Sequence, residues 1–135
     1  MILVDTSAWV EFDRATGSTI DQRLTGLISD GGDIVVTEPV LMEVLAGAKD
    51  EVRAAELRRL LTSFGWIASE AHTDFEGAAR VYRACRREGV TPSGVIDCMI
   101  ASIALRSNSS VLAADTDFTQ ISQVIPLALD KPGRP

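Results

Sequence analysis

Residues 1–10 read MILVDTSAWV and place an aspartate, Asp5, directly after a short apolar run. Ile2–Val4 is apolar throughout, which is typical of a short strand that is buried on both faces of a parallel sheet. From Thr6 to about Asp13 the pattern predicts a helix. A carboxylate at the edge of a hydrophobic core is costly unless a partner compensates its charge. This stretch therefore predicts the fold class and raises the question of what Asp5 binds.

The rest of the chain alternates between short apolar runs and segments with helical patterns. Further strands are predicted at 33–36, 66–68, 110–114 and 124–127. Helices are predicted at about 18–29, 37–47, 50–63, 73–88 and 92–107, with a short helical turn at 118–121. Such alternation is typical of an α/β fold, a three-layer α/β/α sandwich around a mainly parallel sheet of four to five short strands.

Two local patterns refine these helix predictions. Thr73 and Glu76 have the spacing of a capping box, which predicts that a helix begins there. In segment 50–63, the spacing of Val52, Leu57 and Leu61 predicts the buried stripe of an amphipathic helix.

Composition limits the class of protein. The chain has 135 residues, of which 46% are hydrophobic and 24% charged, and we expect a single domain over 1–130 followed by a disordered tail over 131–135. No apolar run approaches the roughly 20 residues of a transmembrane helix, and the N-terminus lacks the features of a secretory signal.

The two cysteines, Cys85 and Cys98, predict reduced thiols in a cytoplasmic protein. With His72 as the only histidine, a zinc site is disfavoured.

The net charge of −6 argues against a nucleic-acid partner, but the basic residues are unevenly distributed. Eleven of the 13 basic residues are arginines, and four of these crowd into one short stretch: Arg80, Arg83, Arg86 and Arg87. They could form a basic patch facing an acidic pocket, or a solvent-exposed helix face with i,i+4 ion pairs.

Five carboxylates occupy positions that favour a common site. Asp5 and Asp115 each follow a predicted strand, and the carboxyl ends of parallel strands meet at the edge where ligands bind. Asp117 lies two residues further along the chain. Glu43, in VTEPVLMEVLAG, flanks the apolar stripe of its predicted helix, and Asp97, in PSGVIDCMIASIAL, lies in an almost wholly apolar helix.

Each of these carboxylates also has a purely structural explanation. Asp5 could be a helix N-cap, Asp115 an Asx-turn residue, and Asp117 the N-cap of the next helical turn. Glu43 could be a partly exposed helix residue, and Asp97 could compensate the dipole of its helix. These explanations weaken when the residues are taken together, because the carboxylates would converge at one edge of the sheet.

Electrostatic repulsion indicates what such a cluster requires. Two unit charges about 5 Å apart repel by about 3 kcal/mol at an effective dielectric constant of about 20, so several pairs approach the whole stability of a domain. The nearest basic residue to Asp5, Asp97 or Asp115 is at least nine positions away. An all-oxygen cluster suits Mg²⁺ or Mn²⁺ better than zinc. Such a metal site can activate water for in-line attack on phosphorus without a protein nucleophile.

The motifs around these acidic residues resemble the PIN-domain family, and within it the VapC toxins of toxin–antitoxin pairs. The resemblance rests on four stretches and covers nearly the whole chain: VDTSAWV, EPVLM before Glu43, IDCMIA around Asp97, and ADTDF. It implies an endoribonuclease with a Rossmann-like sheet that depends on Mg²⁺, for which Mn²⁺ can substitute. It also implies a homodimer, a VapB-type antitoxin in a larger assembly, and a structured RNA substrate such as tRNA or rRNA.

The resemblance also assigns roles to individual residues. The catalytic residues it implies are Asp5, Glu43, Asp97 and Asp115. The metal ligands it implies are Asp5, Asp97, Asp115 and Asp117. Side chains that would orient the site are Thr6, Ser7 and Ser93. Many relatives carry a basic residue before the ADTDF-like motif, where this chain has alanines, so Arg80, Arg83, Arg86 and Arg87 become the candidates for contacts with RNA or antitoxin.

Two other functions remain open at this stage. The chain could be a PIN-like module that binds RNA or a protein without cutting. It could also be another Mg²⁺-dependent phosphoryl-transfer enzyme, such as a small-molecule phosphatase. The first strand lacks the DxD pair of an aspartyl-phosphate mechanism, because position 7 is serine.

Overall fold

Strand β1 (Ile2–Val4) lies inside the sheet of the computed structural model, which describes residues 1–132. It pairs in parallel with β2 (Ile34–Val36) on one side and with β4 (Ser110–Leu112) on the other. Strand β3 (Gly65–Trp66) pairs with β2, which gives the order β3-β2-β1-β4. The runs in β1 and β2 are apolar because both faces of these strands are covered.

Helices connect the strands and cover the sheet. They are α1 (Thr6–Asp13), α2 (Thr19–Ser29), α3 (Glu38–Ala46), α4 (Glu51–Leu61), α5 (Ala71–Arg87), α6 (Val95–Ser107) and α7 (Asp117–Ser122). Trp9 of α1, Ile100 of α6 and Phe118 of α7 are among the largest fully buried side chains. The predicted α/β fold with a parallel sheet is confirmed. No helix among the described residues combines the length and the apolar composition that crossing a lipid bilayer requires.

The strand predicted at 124–127 is absent, and the backbone there turns instead. The N–H groups of Val124 and Ile125 both donate to the carbonyl of Ile121, so they close the end of α7. Pro126 follows and has no N–H to donate to a sheet. Within residues 124–132, the backbone pairs with β4 only through an isolated parallel bridge between Leu129 and Val111.

Two local helix predictions are also wrong. Helix α5 begins at Ala71, two residues before the predicted capping box, because the Asp74 carboxylate accepts the N–H of Glu70 at 2.7 Å. Val52 is 71% exposed, since α4 buries only Leu57 and Leu61. The predicted tail at 131–135 falls largely outside the described residues, which omit 133–135.

Helices α5 and α6 pack antiparallel at close range, and this contact positions Asp97 on α6. Asp74 of α5 is 1% exposed and binds Arg106, near the end of α6, at 2.8 Å. One turn further along α5, a Cβ at Gly77 would lie 3.2 Å from the Cβ of Ser102 and would overlap the Ser102 hydroxyl. Only glycine therefore allows the two backbones to approach this closely.

Replacing Gly77 with alanine should lower the free energy of unfolding by about 1–3 kcal/mol, because the added methyl group overpacks the contact. Urea denaturation of the purified variant measures this loss. Gly26→Ala in α2 is the matched control, since it meets nothing within 4 Å and should leave stability unchanged or raised by up to about 1 kcal/mol. Adding Ser102→Gly to Gly77→Ala should recover most of the loss, and strictly additive effects of the two substitutions would contradict this account.

Candidate metal centre

Asp5 uses only half of its carboxylate in the fold. Its Oδ2 accepts the backbone N–H of Ser7 at 3.0 Å and the Ser7 hydroxyl at 2.7 Å, so Asp5 is the N-cap of α1 as one interpretation predicted. The residue is 2% exposed, and its Oδ1 is buried without a hydrogen-bond partner. Burial raises the pKa of Asp5 to about 6, against the lowering effect of the Ser7 hydrogen bonds. An orphaned buried carboxylate oxygen is costly unless a ligand satisfies it.

Ser7 joins the ends of the two central strands. While its hydroxyl donates to Asp5, its Oγ accepts the backbone N–H groups of Ala114 at 2.9 Å and Asp115 at 3.2 Å. This fixes the loop after β4 against the end of β1. The carboxyl ends of these parallel strands therefore carry Asp5 and Asp115 at one edge of the sheet, as the sequence predicted.

Three carboxylates lie close enough to hold one cation. Asp97, Asp115 and Asp117 each offer an oxygen, and these oxygens lie within 4.8 Å of one another. Asp115 also forms the predicted Asx-turn, since its Oδ1 accepts the N–H of Asp117 at 2.8 Å. Asp117 is not the N-cap of α7 but its first residue, after Thr116.

The pKa values of Asp97 and Asp117 are shifted in opposite directions within the cluster. Burial, the adjacent Asp117 and the charges of Asp5 and Asp115 together raise the pKa of Asp97 to about 9. Burial alone would raise the pKa of Asp117 as well, but the Asp97 proton and the Ser93 N–H, which donates to Oδ2 at 3.0 Å, outweigh it and lower that pKa. Without a cation, the cluster therefore has to retain a proton to reduce its own repulsion.

Glu43 adjoins this cluster without belonging to the group of three. One of its oxygens, Oε1, accepts the hydroxyl of Thr6 at 2.7 Å, which ties α3 to the start of α1. The charge of Glu43 also contributes to the raised pKa of Asp5. Five predicted carboxylates thus converge at the edge of the sheet.

The residues predicted to orient the site act in different ways. Thr6 and Ser7 hold Glu43 and Asp5 through their hydroxyls, whereas Ser93 acts through its backbone N–H. Almost any residue type could supply that N–H, so Ser93 was identified through the family resemblance and not through the chemistry of its side chain. The four predicted arginines, Arg80, Arg83, Arg86 and Arg87, lie outside the cluster and are exposed on α5.

The chemistry of the cluster fits a hard divalent cation. No lysine or arginine within residues 1–132 forms an ion pair with any of the five carboxylates. The donors are all oxygens, which Mg²⁺ and Mn²⁺ prefer, and Asp5 keeps a free buried oxygen beside them. An apolar groove of about 600 Å³ lies apart from the cluster, and its lining includes Met42, Phe75 and Met99 and none of the five carboxylates.

Replacing Ser7 with alanine should weaken metal binding by about 10–100-fold, because outer hydrogen bonds orient the ligands of a metal. The variant loses the hydroxyl that holds Asp5 and receives the two N–H groups of the β4 loop. Titration of the melting temperature with Mn²⁺ gives the apparent affinity. Ser63→Ala, at an exposed serine at the end of α4, is the control. Equal Mn²⁺ affinity in both variants would refute the positioning role of Ser7.

Comparisons with known proteins find relatives that match nearly the whole chain. The family model of the PIN domain matches residues 2–124. The VapC ribonuclease Mb1587 of Mycobacterium bovis is 40% identical over 125 residues, covering 92% of this chain and 93% of the relative. Ribonuclease VapC11 of Mycobacterium tuberculosis has the same identity and coverage.

A solved structure supports the fold independently. VapBC2 from Rickettsia felis, bound to a DNA fragment from its promoter, superposes with a TM-score of 0.74 at 19% identity. The match covers 96% of this chain and 98% of that chain. At this identity the likeness establishes the shared fold.

Proposed function

Since the chain belongs to the PIN-domain family, we propose that it is the toxin of a type II toxin–antitoxin pair and hydrolyses phosphodiester bonds in RNA. The observation that carries the proposal is the convergence of five carboxylates, unpaired with any cation of the described chain, at the carboxyl edge of a parallel sheet. The two mycobacterial relatives, which match over nearly their whole length, are both ribonucleases.

The proposed cofactor is Mg²⁺, for which Mn²⁺ can substitute. Asp97, Asp115 and Asp117 would hold it, with the free oxygen of Asp5 as a further ligand. When bound, such a cation orients and acidifies a water and stabilises charge on the phosphate oxygens.

The chain's own residues prepare the site for this chemistry. Through its hydroxyl, Ser7 holds Asp5 and the loop after β4 in fixed relative positions. The N–H of Ser93 fixes one oxygen of Asp117. Glu43 is our candidate to accept a proton from the attacking water. Thr6 holds one of its oxygens, and the other accepts no hydrogen bond from the described residues.

The proposed partners follow from the family. They are a VapB-type antitoxin that covers the site, a second copy of the toxin in a larger assembly, and a structured RNA such as tRNA or rRNA. The proposed location is the cytoplasm, where such RNA substrates are found.

An assay on total cellular RNA tests the proposal. The purified chain, shown to be folded and free of antitoxin, is incubated with Mg²⁺, with Mn²⁺ or with EDTA. Discrete fragments in both metal lanes and none in EDTA are expected, and sequencing the new ends would identify the substrate. Intact RNA in every lane would contradict hydrolysis and favour a module that binds without cutting.

A further inference from the structure

One face of α5 carries four arginines that the metal centre does not use. Arg80, Arg83, Arg86 and Arg87 are all exposed. At about 100° per residue, they fall within an arc of about 120° on the helix. The opposite face is buried through Ala78, Val81 and Cys85. We refer to these four residues as the arginine face.

The charges of the arginine face are not compensated within residues 1–132. Three other arginines, Arg23, Arg53 and Arg106, each pair with an aspartate, whereas no member of the arginine face forms an ion pair in this part of the chain. The i,i+4 pairing that a solvated face would use is also missing. Glu76, four residues before Arg80, instead approaches His72 at 3.7 Å.

The last turns of α5, which carry Arg86 and Arg87, lie level with the first turn of α6. Because α5 runs antiparallel to α6, with Asp74 beside Arg106 and Gly77 against Ser102, its later turns lie beside the start of α6. The first turn of α6 carries Asp97. The segment that links the two helices contains Ser93, whose N–H holds Asp117.

We propose that the arginine face binds backbone phosphates of the RNA on one side of the scissile bond. This inference rests on the proposed function, because it takes RNA to be the substrate of the carboxylate cluster. A polyanion is repelled by a site built from carboxylates, so its neighbouring phosphates need cations close to that site. Arginine suits this role, since its guanidinium can bind phosphate oxygens in pairs. An acidic protein segment would also be attracted by these arginines. RNA is favoured because its own phosphates would otherwise be repelled by the carboxylate cluster.

Salt-dependent RNA binding tests this surface apart from catalysis. Binding of mixed tRNA is measured by fluorescence anisotropy in EDTA, with Asp97→Asn in every protein so that no RNA is cut. Arg83→Ala with Arg87→Ala should reduce the magnitude of the negative slope of log affinity against log salt by about 1.5, because each lost phosphate contact removes about 0.7–0.9. The matched control is Arg58→Ala with Arg59→Ala on α4, two exposed arginines without an ion pair within residues 1–132, and its slope should not change.

The outcomes separate this inference from the proposed function. Replacing Arg83 and Arg87 with lysine should preserve the slope, which shows that charge rather than a change in the fold is responsible. If the alanine pair keeps the parent slope while the unmodified chain still cleaves RNA, the arginine face is not a phosphate site although the nuclease function stands. If the salt dependence of the alanine pair becomes weaker but the unmodified chain cuts no RNA, the inference stands although the nuclease function does not. An unchanged RNA slope with weakened binding of a polyglutamate peptide would overturn the inference in favour of an acidic protein partner.

Discussion

Replacing Asp97 with asparagine is expected to reduce RNA cleavage by about 10³-fold or more. Asp97 belongs to the group of three carboxylates, and asparagine removes its charge while keeping its shape. A metal contributes several kcal/mol of charge stabilisation to phosphodiester hydrolysis, and each 1.36 kcal/mol corresponds to about a factor of ten in rate. The measurement is the initial rate of cleavage at saturating Mg²⁺, compared with the unmodified chain.

The same variant should remain folded, so that its loss of activity can be attributed to the metal site and not to unfolding. Burial and its acidic neighbours raise the pKa of Asp97, so a neutral amide there relieves repulsion when no cation is bound. In chelator near pH 8, the melting temperature of Asp97→Asn should equal or exceed that of the parent. Asp30→Asn, at an exposed residue after α2, should leave both rate and stability unchanged. Full activity of Asp97→Asn would remove Asp97 from the proposed metal site.

The parts of the fold that could be predicted from the sequence are those with strong local signals. Strand β1 is a wholly apolar run, and Ser18 caps α2 where its hydroxyl accepts the N–H of Asp21 at 3.1 Å. Predictions were wrong where one local signal outweighed another. The start of α5 is set by the Asp74 carboxylate, which accepts the N–H of Glu70, and not by the capping box at Thr73. Asp74 is held in place by Arg106, 32 residues away in sequence, and no local pattern contains that pairing.

The convergence at the site could be predicted because each of its acidic residues lies at a strand end or beside an apolar stripe. Which oxygens approach one another depends on the loop after β4, and the Ser7 hydroxyl fixes that loop from more than one hundred residues away. The structural explanations for Asp5 and Asp115 are both realised, and neither excludes a role as a metal ligand. Asp5 caps α1 with one oxygen and leaves the other free, and Asp115 turns the backbone within the group of three. A cap or a turn is therefore compatible with a metal ligand.

In chelator, the melting temperature should fall by at least about 5 °C as the pH rises from about 5 to 9. An aspartate in the unfolded chain has an ordinary pKa of 3.8, and the fold raises the pKa of Asp5 to about 6 and that of Asp97 to about 9. Between the unfolded pKa of 3.8 and the folded pKa of Asp97, about 9, the folded chain holds more protons than the unfolded chain. Its stability therefore decreases as the pH rises through this range. Asp117, whose pKa is lowered, acts in the opposite direction and only in acid, near and below its unfolded value. Differential scanning fluorimetry across this range measures the slope.

Mg²⁺ should remove this slope, because a cation replaces the proton that the cluster otherwise retains. At about 100 times its dissociation constant, a bound ion adds about 2.7 kcal/mol, which corresponds to a rise of roughly 5–10 °C in a domain of this size. The rise should be largest at alkaline pH, where the metal-free cluster is most destabilised. Asp97→Asn should flatten the slope above pH 6 in chelator and abolish most of the response to Mg²⁺. A melting temperature that is flat with pH and indifferent to Mg²⁺ would mean that these carboxylates are compensated inside the fold, and the main argument for a metal at the edge of the sheet would be lost.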